Sequence, residues 1–98
     1  MPAQTDKVFG QRDEIIAAHL LALLSKRQPG TSICPSDVAR GLAKHEAQWR
    51  ALMPHVRAVA AQLAREGKIV ATQKNVEVDA QQARGPIRLR LRSMDDPP

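Results

Sequence analysis

Ile87-Arg88-Leu89-Arg90-Leu91-Arg92 alternates apolar and basic residues without a break, the period-2 pattern of a β-strand with one face buried and the other in water. This segment constrains what precedes it, because a strand needs a hydrogen-bonding neighbour. The β-branched stretch Ile69-Val70-Ala71-Thr72-Gln73 supplies one. Together they predict a hairpin with a long tip, loop-like at Lys74-Asn75 and from Glu77 to Arg84. Two strands alone are marginal in water, so Ile69, Ala71, Ile87, Leu89 and Leu91 must lie against another part of the chain.

The cover comes from helices. Between Gln11 and Arg27, Ile16, Leu20, Leu23 and Leu24 fall at i, i+4, i+7 and i+8 and mark one helical stripe. Asp13 and Glu14 near its start and Lys26 and Arg27 near its end complement the helix dipole. Gln28-Pro29-Gly30 stops it, and Thr31-Ser32-Ile33-Cys34 is a short β-favouring piece suited to a sheet edge. Pro35-Ser36-Asp37 opens a second, short helix, with Ser36 or Asp37 available to bond backbone amides. Val38, Ala39 and Leu42 form its apolar face, and Gly41 weakens it without ending it. Pro54 biases Met53 away from helical geometry, so a third helix is expected to begin at Pro54, to bury Val56, Val59, Ala60 and Leu63, and to stop at Gly67. Leu52, in the turn before it, extends the same stripe.

Ninety-eight residues with 43% apolar content suit one domain around a single core. The expected layout is a loose tail over 1–10, a domain over 11–92 and a second loose tail over 93–98. Helix, short strand, helix, helix, strand, loop, strand is the order of an α+β, mainly helical fold. It is the winged helix-turn-helix, a three-helix core with a small antiparallel β-hairpin as the wing.

Several motifs stand in a fixed order. They are Cys34-Pro35-Ser36-Asp37-Val38-Ala39-Arg40, then Trp49-Arg50-Ala51-Leu52-Met53-Pro54 with Val56-Arg57, then Leu63 with Gly67-Lys68-Ile69, Gln73-Lys74, and Gly85-Pro86-Ile87-Arg88-Leu89-Arg90. With them the chain resembles a small bacterial family, domain of unknown function 3253, over roughly residues 12 to 92. The resemblance implies a winged-helix fold and supplies no catalytic residues. Members tend to place Gly after the Gln-Lys pair, where this chain has Asn75, a residue that also tolerates a left-handed turn.

Charge directs the functional expectation. Fifteen Lys and Arg against ten Asp and Glu give a net charge of +5, which favours acidic partners such as nucleic acid. Residues 1–46 hold six basic and five acidic side chains, whereas 47–92 hold nine and three. Two aromatics, Phe9 and Trp49, are too few for a base-stacking platform, so duplex DNA is the expected nucleic acid. In helix-turn-helix proteins the second helix of the pair enters the major groove, and a wing reaches the adjoining backbone. On this chain the expected groove-contacting helix is 54–66, with Arg57, Gln62 and Arg65 on its open face and Ala58 and Ala61 leaving room for close approach. Arg50 and His55 stand where phosphates usually lie, and Lys74 and Arg84 in the 74–86 wing loop are further phosphate candidates. Arg88 and Arg90, with Arg92, point off the sheet's outer face, where they either meet DNA or guard an edge strand. The alternative is a protein-interaction module that uses Ala58 and Ala61 on the same helix face, without DNA binding.

Other classes find little support. Cys34 is the one cysteine, and His19, His45 and His55 lack ligand spacing, so no metal or other cofactor is expected. No phosphate-binding loop, nucleophile elbow or carboxylate pair appears, and no enzyme is expected. The start lacks a secretory pattern and the longest apolar run, Ile15 to Leu24, is too short to span a bilayer. A cytoplasmic protein that binds double-stranded DNA, alone or as a homodimer, and no membrane is the expectation.

Overall fold

The structure, a computed structural model, describes residues 11–28 and 30–93. The expected tails over 1–10 and 93–98, apart from Ser93, lie outside the described residues. Three helices, α1 (Gln11–Ser25), α2 (Pro35–Leu42) and α3 (Glu46–Arg65), precede three strands, β1 (Ile69–Gln73), β2 (Val76–Glu77) and β3 (Arg88–Leu91). The fold is a mainly helical α+β winged helix-turn-helix. The helical stripes meet as the spacing predicts: Ile16, Leu20 and Leu24 of α1, Val38 and Ala39 of α2, and Val56, Val59, Ala60 and Leu63 of α3 are all buried. Ile69, Ala71, Ile87 and Leu89 cover the same core from the sheet.

Local chemistry sets the helix ends. Cys34 is the N-cap of α2, and its amide donates to Asp37 Oδ2 at 3.0 Å, so Asp37 is the residue that secures this start. At the end of α3 the Gly67 amide donates to the Ala64 carbonyl and the Lys68 amide to the Leu63 carbonyl. These two bonds make a Schellman motif, and Gly67, at φ 79°, takes the left-handed position it requires. Gly41 has a different role: α2 passes through it to Leu42, and a Cβ there would overlap the His19 ring of α1. The small residue lets α1 and α2 approach.

The third helix corrects one expectation. It begins at Glu46, eight residues before Pro54, and runs through the proline. The physical reason is packing. Trp49, Leu52 and Met53 lie against the core and share the stripe of Val56, Val59, Ala60 and Leu63, so helical geometry on both sides of Pro54 buries one continuous face.

The sheet corrects a second. In place of one hairpin with a long tip, strand order is β2-β1-β3, with β1 antiparallel to both neighbours. Lys74 and Asn75, at φ 54° and 68°, form the two-residue turn between β1 and β2, in the left-handed conformations that a type I′ hairpin demands. Ile33 makes a single antiparallel bridge to Leu89, with both backbone bonds at 2.8 Å, and so ties the segment between α1 and α2 to the sheet.

Candidate nucleic-acid interface

A winged helix-turn-helix offers two surfaces to a partner, the outer side of the second helix and the wing. Here the wing turns inward. Asp79 accepts from the Gln81 amide at 2.8 Å and opens a tight turn, and Ala80 within it is buried against the core. Arg57 of α3 grips the result: its guanidinium donates to the carbonyls of Ala80 at 3.2 Å, Ala83 at 2.9 Å and Gly85 at 2.6 Å. Gln73 Nε2 donates to the Arg84 and Pro86 carbonyls from the other side. The loop over 78–87 is thereby folded onto the C-terminal half of α3.

Several sequence-predicted contacts are therefore engaged within the chain. Arg57 fastens the wing. Ala61 is 2% exposed beneath it, and Ala58 is half-buried, so the alanine pair invoked for a protein interface is not an open face. Gln62 and Arg65 bond each other at 3.0 Å, Gln62 also donates to Glu66, and Arg65 stands 4.0 Å from Asp79. The hydrogen bond from Gln62 holds the Glu66 carboxyl below the usual carboxylate range against the opposing effect of desolvation, with Lys68 at 3.3 Å adding to the lowering. Two anions thus flank the C-terminal end of the helix expected to contact the groove. Arg65, Glu77 and Asp79 rim an open cleft of about 280 Å³ floored by Ala61, Ala64 and Ala80.

On the outer sheet face Arg88 donates to Ser32 Oγ at 2.9 Å, to the Ser32 carbonyl at 2.9 Å and to Cys34 Sγ at 2.8 Å, pinning the bridge segment. Arg90 stands opposite Val70 and donates to the Leu91 carbonyl, while Arg92 bonds Glu77 at 3.0 Å. Beside them Val70 is only 2% exposed although it faces away from the core. His55 is half-buried and accepts from Arg12 of α1 at 2.8 Å.

The N-terminal half of α3 contrasts with all this. Ala47, Gln48, Arg50, Ala51 and Pro54 are exposed, as are Lys44 and His45 in the turn before it. Arg50 pairs with Glu46 at 2.6 Å with both side chains about two-thirds exposed. Trp49 packs against the core and lies under two guanidiniums, Arg40 at 4.6 Å and Arg50 at 5.4 Å from its ring centroid. Lys74 and Arg84 are exposed on the wing. Sequence reasoning missed Arg40 and the Glu46–Trp49 turn because α3 was expected to start later. The signal was there in Trp49, Leu52 and Met53, whose spacing continues the stripe of Val56.

No described helix is long and apolar enough to cross a membrane. Among the described residues no three His, Cys, Asp or Glu side chains gather as a metal would need. No curated protein matches the chain. The sequence pattern of one family, described as a protein of unknown function (DUF3253), matches residues 13–92, which spans the three helices, the bridge segment and the sheet just described, and the chain belongs to that family.

Proposed function

We propose that this chain is a duplex-DNA-binding protein, acting by binding and not by catalysis, and that the N-terminal half of α3 is its groove-contacting surface. The carrying observation is the division of α3 at Pro54. Beyond it the helix is occupied by core and wing, and before it Ala47, Gln48, Arg50 and Ala51 are open to solvent beside Arg40, Lys44 and His45. Small side chains allow the helix to lie close in a groove, and Gln48 and Arg50 carry the donors that read adenine or guanine edges. The groove-contacting segment thus moves from 54–66 toward 46–54, with Lys74 and Arg84 retained as wing contacts to backbone.

Fluorescence anisotropy with a labelled random duplex tests this. Wild type should bind at low ionic strength, Ala51→Glu should weaken binding at least about tenfold through carboxylate–phosphate repulsion, and Gln62→Glu should change it little. No wild-type binding at low salt ends the proposal and leaves an interaction module for protein partners. A larger effect from Gln62→Glu than from Ala51→Glu returns the contact to the C-terminal half.

A further inference from the structure

We infer that Arg40 and Arg50, gathered over the ring of Trp49, form a phosphate clamp at the helix-turn-helix, with Trp49 as the positioning residue and Glu46 as an internal anion that a phosphate displaces. The inference rests on the duplex-binding proposal and deepens it. Two guanidiniums repel each other, yet Arg40 and Arg50 both lie over one indole, at 4.6 Å and 5.4 Å from its centroid. Both residues are exposed, so burial of their stems does not account for the arrangement. The negative face of the ring offsets the repulsion, and a stacked guanidinium keeps its N–H edge available to an oxygen acceptor.

An oxygen anion is already at one of these edges. Glu46 Oε2 sits 2.6 Å from Arg50 Nη2, and a carboxylate in that place shows that the guanidinium is oriented to receive one. The ion pair is exposed on both sides, so exchanging a carboxylate for a phosphate costs little. The two cations come from both members of the motif, Arg40 from the last turn of α2 and Arg50 from the second turn of α3. A phosphate strand held by both fixes the orientation of α3 in the groove, which is what backbone contacts do in this class of complex. Lys44 and His45, exposed in the intervening turn, add donors beside the clamp.

Anisotropy titrations of a random duplex across a salt series read each part separately. Arg40→Gln and Arg50→Gln should each flatten the slope of log K against log salt by about 1. Glu46→Gln should tighten binding by about threefold or more, since it removes the competing anion. Trp49→Phe should weaken binding about threefold in the wild-type background and by clearly less in the Arg40→Gln background, a coupling that loss of packing alone does not produce. Thermal melts identify any misfolded variant. Should Trp49→Phe be one, the arginine and Glu46 variants decide, because those side chains are exposed. Unchanged slopes in both arginine variants, equal or weaker binding by Glu46→Gln, or a Trp49→Phe effect of the same size in both backgrounds overturns the clamp while duplex binding by wild type stands. Absence of wild-type binding at low ionic strength overturns both.

Discussion

Arg57 illustrates how one side chain changes meaning between sequence and structure. In the sequence it is a cation on a helix that faces a partner. In the fold its planar fork reaches three carbonyls of one loop, 23 to 28 residues away along the chain. Truncation removes one charged donor from all three carbonyls at once. Arg57→Ala is expected to cost about 2 kcal/mol, the range for hydrogen bonds to a charged group discounted for partial exposure. Hydrogen exchange should accelerate selectively at the amides of Val78 and Gln82, which close the loop. Arg57→Lys should recover less than half of the loss, because an ammonium lacks the fork that meets Ala80, Ala83 and Gly85 together. Urea denaturation of the three proteins measures this. Unchanged stability with lost duplex binding would return Arg57 to the interface.

At the scale of the element, α3 holds a proline in its interior and is still one helix from Glu46 to Arg65. Proline removes one backbone bond and crowds the carbonyl four residues back, about 3 kcal/mol against alanine in a helix interior. Burial of Trp49, Leu52 and Met53 on one side and Val56 on the other outweighs that cost. Pro54→Ala, at an exposed position, is therefore expected to stabilise the fold by about 1 to 3 kcal/mol, read as a higher urea midpoint with an unchanged m-value. A lower midpoint would mean that a bend at Pro54 is needed to seat Leu52 and Met53. The same helix explains how much was legible beforehand. Elements defined by local periodicity or caps came through: the α1 stripe, the Pro35 and Asp37 start of α2, the Gly67 stop, and Ile33 at the sheet edge. Pro54 misled because its restriction is local and the packing that overrides it is not. The inward wing was illegible for a different reason: its acceptors are backbone carbonyls, and the one buried side chain of its turn, Ala80, sits in the otherwise polar run Asp79-Ala80-Gln81-Gln82.

Across the whole molecule, net charge overstates the cationic surface. The nine basic residues of 47–92 suggested a broad polyanion-binding face. Arg57 is bound to the wing, Arg88 to the bridge segment, Arg65, Lys68 and Arg92 stand beside Asp79, Glu66 and Glu77, and Arg90 bonds its neighbour's carbonyl. Within that stretch Arg50, Lys74 and Arg84 are left for the proposed phosphate contacts, to which the nearly neutral first half adds Arg40 and Lys44. Counterion release scales with phosphates neutralised, about 0.9 per contact on duplex DNA, so the count is measurable. Five contacts at most give a log K against log salt slope no steeper than about −4.5, whereas engagement of all nine would give about −8. A slope near the steeper value would mean that the wing opens on DNA and releases Arg57, and the Arg57→Ala protein would then show a slope shallower by about 1. The shallower value, with no change in the Arg57→Ala slope, is the outcome expected of a protein whose wing stays folded on α3 while the other half of that helix meets the groove.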